Sequence, residues 1–321
     1  MRDGRGRAPG AGSPARAGRG GGAQGFANRA AGAARFDGAG RGREIGEAPG
    51  PLTGQGRGVG GEVVEGRQAV RELLVAGRRR VREVIMAAEQ TEAAILEDIR
   101  ELCEARRVPL RHVSRTRFDT LTATQSAQGV LARAQALNEF GLDELLRTRR
   151  GGSPPFLVAL DGVTDPGNLG ALLRSAEGSG VTGIVLPRHR AVHVTPSVTK
   201  AAAGAVEYVR IALVGGLPNT ISQLRDAGVW VIGLDGGAET SLFSLPLGSQ
   251  PVCLVFGAEG KGLSRLVSQR CDQLASIPLG GQLNSLNVSA AVAVACFELS
   301  RQRHMEAAAA KASVPAVPSG A

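Results

Sequence analysis

The chain has 321 residues, with 38 Lys+Arg against 29 Asp+Glu, 46 glycines and a hydrophobic share of 43%, which excludes a mini-protein or a wholly disordered chain and allows about two domains. Residues 1–60 hold 19 of the glycines and ten arginines against four acids, so they carry +6 of the formal net charge of +9. The basic balance thus mostly describes one end of the chain, and nucleic-acid binding has to be argued from where charge sits.

Taken in order, residues 1–60 contain R-G-R at Arg5–Arg7, R-G-G-G at Arg19–Gly22 and R-G-R at Arg41–Arg43, among almost no aliphatic residues. Such a segment cannot bury enough apolar surface to offset the entropy of ordering it, and it is expected to be a disordered tail. It suits loose electrostatic attachment to RNA, or a solubilising role. From Gly61 the pattern changes. Val70, Leu73 and Leu74 in EGRQAVRELLVAG have helical spacing, and a strand-like VREVIMAA and a long amphipathic TEAAILEDIRELCEARR follow. PLRHV reads as a strand, RTRFDTLTA as helical and GVLARAQA as a strand, so residues 61–137 make one α/β unit. Residues 138–154 read as a helix and a linker ending in Gly-Gly-Ser-Pro-Pro.

After Pro155 strands and helices alternate: strand FLVALD, helix LGALLRSAEGSG, strand TGIVLP, a helix from Pro196 with Thr195 as its N-cap, strand YVRIALV and helix LPNTISQLRDAG. Strands VWVIGLD and PVCLVFG, helix LSRLVSQR, strand QLASIPL and a final helix from about Leu286 complete the unit. Apolar strands of this kind between helices predict an α/β domain with a mostly parallel sheet covered on both faces. The last stretch, 305–321, is Ala-rich with prolines and reads as a flexible end. Cys103, Cys253, Cys271 and Cys296 form no C-x-x-C, and three of them sit in apolar runs. They read as buried thiols of a reducing compartment, neither a disulfide framework nor a zinc site. The longest apolar stretch, Val288 to Leu299, is too short to span a bilayer, and the N-terminus has no signal-peptide apolar region. The expected setting is the cytoplasm, with no membrane partner.

Ligands of such sheets bind beyond the carboxyl ends of the strands, and three of those ends are unusual here. L-D-G-V-T-D-P-G-N-L-G, Leu160 to Gly170, combines a tight Pro-Gly turn with Asn168 and is followed by Arg174 on the next helix. F-G-A-E-G-K-G-L-S, Phe256 to Ser264, is glycine-rich, but Gly262 follows Lys261 where a P-loop needs a magnesium-binding hydroxyl. Glu259 there, read as buried among glycines, needs a hydrogen-bonding partner in a neighbouring loop or a substrate. I-P-L-G-G-Q-L-N-S-L-N-V-S, Ile277 to Ser289, sets Ser285, Asn287 and Ser289 at a helix start, where N-capping explains one of the three.

In this order, at strand ends of one α/β domain, the segments resemble the three motifs of the SpoU/TrmH (SPOUT) family of RNA 2'-O-ribose methyltransferases. The resemblance covers about Pro155 to Arg303 within a methyltransferase domain at 155–304. Residues 61–136 are similar to that family's L30e-like RNA-binding domain. The combination is most like the bacterial branch acting on a 23S rRNA guanosine, which commonly has His-Gln-Gly where this chain has Ala127-Gln128-Gly129.

The resemblance implies an α/β trefoil-knot fold and S-adenosylmethionine held in a bent form, largely by backbone groups of Leu234, Gly257, Ile277 and Leu286. It also implies a homodimer that completes each site across its interface, with Asn168, Arg174, Glu259, Ser285 and Asn287 as the catalytic set and no metal. A guanidinium is effectively always protonated, so Arg174 suits stabilisation of a developing alkoxide, with the proton passing towards an RNA phosphate, better than it suits general base catalysis. Asn168 and Glu259 would then hold the ribose and the loop. His189 and His193 have a helical ligand spacing but no third ligand, and they read as structure. The alternatives are the tRNA member of the same family, which usually lacks the N-terminal domain, and a non-catalytic RNA-binding ribosome-assembly protein, which need not keep polar groups at three strand ends. A dinucleotide-binding enzyme is disfavoured by the absence of Gly-x-Gly-x-x-Gly after the first strand of the larger domain.

Overall fold

A computed structural model describes residues 58–312, apart from 89, 125–126, 148–151, 190–191 and 283. The expected Arg/Gly tail, except its last three residues, and the stretch 313–321 lie outside the described residues. The smaller sheet joins β1 (Val63–Glu65), β2 (Val81–Ala87), β3 (Leu110–Val113) and β4 (Val130–Ala134) in the order β1-β4-β2-β3, with only β2 and β3 parallel. Successive side chains of a strand point to opposite faces. Val84 and Met86 of β2 therefore pack with α1 (Arg67–Ala76) and α2 (Ala94–Ala105), while Ile85 and Ala87 pack with Phe118 of α3 (Arg115–Asp119). A three-residue strand such as β1 carries too little alternation to read from sequence. A short α4 (Leu142–Leu146) leads into the larger domain.

That domain comprises β5 (Phe156–Asp161), α5 (Pro166–Gly178), β6 (Gly183–Pro187), α6 (Pro196–Ala201), β7 (Ile211–Val214), α7 (Leu217–Asp226), β8 (Trp230–Leu234), β9 (Val252–Gly257), α8 (Arg265–Arg270), β10 (Gln273–Ala275) and α9 (Val288–Ala312). Its six strands run in the order β10-β8-β9-β5-β6-β7, and every neighbouring pair is parallel. Phe156, Val158 and Leu160 of β5 face the core shared with α5, α6 and α9; Leu157 and Ala159 face the core shared with α4, α7 and α8. The chain leaves β5 towards β6 and β7 and later returns on the other side through β8, β9 and β10. The strand order thus reverses between β5 and β9, the position where such sheets open a crevice at their carboxyl ends.

Several boundaries differ from the sequence reading. Helix α5 starts at Pro166, because proline suits the first helical position and Asp165 caps it, accepting from the Asn168 N–H at 2.6 Å. The segment YVRIALV is a strand only over Ile211–Val214 and QLASIPL only over Gln273–Ala275, while α9 starts at Val288 and continues past Met305 to Ala312. Thr195 does cap α6, accepting from the Val198 N–H. Val59 is buried in the larger core, and Gly60 pairs with Val194. The packed chain thus begins before Gly61.

The two domains are clamped together. Arg79 donates from Nε and Nη2 to the carboxylate of Glu207, at 2.9 and 2.5 Å, and from Nη1 to the carbonyls of Gly61 and Gln135. Both charged side chains are at most 3% exposed, so loss of either partner would strand a buried charge at about 3–5 kcal/mol. Tyr208 Oη also donates to Glu72, and Phe140 N–H to the Ile211 carbonyl. Cys103, Cys253 and Cys296 are buried, and Cys271 is half-buried. Burial pushes the Cys103 thiol up to about 11 and those of Cys271 and Cys296 to about 12, which leaves little reactive thiolate at neutral pH.

Candidate active site

The crevice between β5 and β9 gathers three of the five expected catalytic side chains. Asn168, in the first turn of α5, donates through Nδ2 to Glu259 Oε2 at 3.3 Å and accepts from Asn287 Nδ2 at 2.9 Å. Asn287 Oδ1 in turn accepts from the Ser289 N–H at 2.9 Å and from its hydroxyl at 2.6 Å. The polarity of this chain is dictated by chemistry. An ionised carboxylate only accepts, so Asn168 must turn its amide NH2 to Glu259 and its oxygen to Asn287. Asn287 must then spend a donor on Asn168, which leaves its oxygen for the helix start. It is therefore both the N-cap of α9 and a member of the cluster.

Glu259 is exposed, contrary to the sequence reading. The turn after β9 is closed by the Gly262 N–H donating to the Ala258 carbonyl, with Gly260 and Gly262 at φ of 75° and 64°. The tight turn pushes Glu259 outward, to its tip, where Asn168 meets it. Asp161, at the end of β5, ties down the far side of the same loop by accepting from the Ser264 N–H at 2.7 Å. Asp161 carries no sequence signal of this role, whereas Asp165 followed by proline is a legible helix-start signal.

The four positions expected to meet a cofactor lie around the carboxyl ends of neighbouring strands. Leu234 ends β8 opposite Phe256, next to Gly257 at the end of β9, and pairs on its other side with Ala275, two residues before Ile277. Leu286 directly precedes Asn287. Over 277–286 none of the described residues makes a backbone or side-chain hydrogen bond within the chain. Backbone N–H and C=O groups need partners, so this segment offers a run of donors and acceptors to a ligand. It runs beside the end of β8: a Cβ at Gly236 would lie 3.3 Å from the Asn284 carbonyl oxygen. At Gly257 a Cβ would fall 2.0 Å from the Gly262 carbonyl carbon, so only glycine lets the loop fold over that strand end.

Two expected catalytic residues stand apart. Ser285 is exposed and hydrogen-bonds to none of the described residues. Arg174 is also exposed, without a polar partner among them. Six helical residues from Asn168 correspond to about 9 Å of rise and about 240° of rotation, so Arg174 points away from the amide cluster of its own chain. His193 Nδ1 lies 3.2 Å from the Gly58 carbonyl oxygen, and His189 is exposed. Among the described residues no group of three or more His, Cys, Asp and Glu side chains could hold a metal ion.

A parallel α/β sheet with polar loops converging on its switch point, preceded by a small mixed α/β domain, defines a two-domain enzyme class. The model of the SpoU rRNA methylase family matches residues 155–297, and the model for RNA 2'-O ribose methyltransferase substrate binding matches residues 63–140. The 23S rRNA (guanosine-2'-O-)-methyltransferase of Photobacterium profundum is 36% identical over 247 residues, which cover 76% of this chain and 99% of that protein. The enzyme of the same name from Ralstonia nicotianae is 43% identical over 209 residues, covering 65% and 83%. Among solved structures, the SpoU methyltransferase AviRb of Streptomyces viridochromogenes in complex with AdoMet aligns with a TM-score of 0.62 at 25% identity, covering 76% of this chain and 90% of its own. The chain belongs to the SpoU family of RNA 2'-O-ribose methyltransferases.

Proposed function

We propose that this protein transfers the methyl group of S-adenosylmethionine to the ribose 2'-hydroxyl of a guanosine in 23S rRNA. The observation that carries the reading is the Glu259–Asn168–Asn287 chain standing beside the described residues of 277–286, whose backbone has no partner within the chain, at the sheet's switch point. The rRNA substrate rests on the named relatives and on the substrate-binding domain that precedes the site. Work on ribosomal RNA would be done in the cytoplasm. The experiment is to map 2'-O-methyl positions in rRNA and tRNA with and without the gene. Loss of one methylguanosine from 23S rRNA is expected; a loss confined to tRNA would overturn the substrate.

The backbone at Leu234, Gly257, Ile277 and Leu286 would hold the cofactor, which supplies an electrophilic methyl group when bound. The chain's own residues have to orient the ribose and stabilise the oxygen as its proton leaves, since the hydroxyl is weakly acidic in water. Asn168 and Glu259 would hold the ribose and the loop, while Arg174 would meet the developing alkoxide from a second copy of the chain. Arg174 and Gly178 are four residues apart and share one face of α5. A Cβ at Gly178 would touch Phe297, which is 52% exposed on α9 next to a 38% exposed Val294. An apolar patch at this edge supports a homodimer in which each copy lends Arg174 to the other's site. We further read the larger domain as a trefoil knot, with 277–287 as the segment threaded past the ends of β8 and β9, and the smaller one as L30e-like.

Two outcomes check parts of this reading. Gly257→Ala is expected to weaken S-adenosylmethionine binding about tenfold or more, because the loop must shift to admit a methyl group at an overpacking cost of about 1–3 kcal/mol; calorimetric titration measures it, and unchanged affinity would remove the strand end from the cofactor site. Removing residues 1–57, which spares Val59, is expected to weaken RNA binding at low salt only, leaving the melting temperature unaltered. Affinity against salt for both chains decides, and equal affinities at low salt would leave the tail without an RNA role.

A further inference from the structure

Nine arginines of the described chain are paired with carboxylates. Arg80, Arg82, Arg106 and Arg107 are paired with none; all are exposed, and they line one groove of 490 Å³ in the smaller domain, floored by Leu73, Leu74, Val81 and Val108. This clustering is built into the backbone. Helix α1 ends at Gly77 with φ 56°, and a Cβ there would lie 2.0 Å from Arg106 Nη1. Glycine thus lets the Arg106 side chain lie across the helix end, where Nη2 donates to the Val75 carbonyl at 2.8 Å. Arg107 follows with φ 54°, a left-handed conformation that costs a non-glycine residue on the order of 1 kcal/mol and turns the chain beside the groove. The other rim is fixed by its neighbours: Arg78 stacks 5.2 Å from the Tyr208 ring, and Arg79 is the buried clamp on Glu207. The groove therefore holds a set position relative to the larger domain.

Resting on the RNA methyltransferase reading, we propose that this groove is a second RNA contact, in which Arg80, Arg82, Arg106 and Arg107 hold phosphodiester groups of the substrate away from the methylated nucleotide. Guanidinium groups match phosphate oxygens in pairs and remain charged at any working pH. Contacts of this kind position RNA without reading bases. With the clamp rigid, the phosphates held in the groove would set which stretch of RNA lies over the Asn168 crevice.

The test is a triple variant, Arg80→Gln with Arg82→Gln and Arg107→Gln, which leaves the clamp and the Arg106 helix cap intact. A control removes three charges elsewhere on the same domain, at Arg100, Arg115 and Arg117. Binding of an unmodified 23S rRNA transcript is measured against salt, alongside kcat, KM and S-adenosylmethionine affinity. The groove variant is expected to lose affinity at low salt, to flatten the logarithmic salt dependence by about two to three units, and to raise KM with kcat and cofactor affinity unchanged. The matching triple Lys variant should recover most of the loss. A salt slope equal to that of the wild type or of the control would overturn the groove as an RNA contact. If the wild type binds cofactor yet methylates neither rRNA nor tRNA, the RNA methyltransferase reading fails instead.

Discussion

Arg174→Ala is expected to lower methyl transfer by about 10²- to 10³-fold, the cost of removing one preorganised donor to a developing oxyanion, while S-adenosylmethionine binds as before. Arg174→Lys should fall nearly as far, because a compact ammonium does not reproduce a planar fork able to meet an alkoxide and a phosphate together. Arg174 is exposed and unpartnered within its own chain, so a surface role would make both substitutions nearly silent. Single-turnover methylation beside calorimetric cofactor titration separates the two. Mixing carries the test further. If the site is assembled from two copies, inactive Arg174→Ala and inactive Asn168→Ala chains combined in equal amounts should regain about a quarter of wild-type activity, since random pairing gives half mixed dimers with one intact site each. No recovery would place both residues in a single chain's site.

Asn287 separates chemistry from capping within one side chain. Asn287→Ala should lose both its cap, about 1 kcal/mol of stability, and its bond to Asn168. Asn287→Asp keeps an acceptor for the Ser289 N–H and adds a negative charge at a helix N-terminus, so stability should hold. It has no donor for the Asn168 oxygen. Reversing the Asn168 amide to suit the aspartate would turn that oxygen towards Glu259, so one link of the chain fails either way. Turnover of both variants is expected to fall about ten- to a hundredfold, with a lowered melting temperature only in Asn287→Ala. Wild-type turnover in Asn287→Asp would reduce Asn287 to a cap.

The repeating strands and helices after Pro155 were legible because each strand is a short, nearly continuous apolar run closed by glycine, proline or a charge. The site was legible only in pieces. Asn168 and Glu259 are 91 residues apart, Asn168 and Asn287 119, and no periodicity reports a contact at that range; resemblance to known motifs linked them. Pro166 and Gly167 read as a turn since both residues punctuate chains, yet the capping Asp165 makes them the first turn of α5. Glu259 reads as buried among its glycines, whereas two of those same glycines, at positive φ, turn it outward. Arg79 and its neighbours form a run of three arginines, legible as charge; that the middle one turns inward to Glu207, 128 residues away, depends on packing between domains.

The central claim is tested most directly by incubating the purified chain with methyl-labelled S-adenosylmethionine and unmodified 23S rRNA, then digesting the RNA to nucleosides. Label in 2'-O-methylguanosine is the predicted result. Label on a base, or none in RNA from a chain that binds the cofactor, would contradict it.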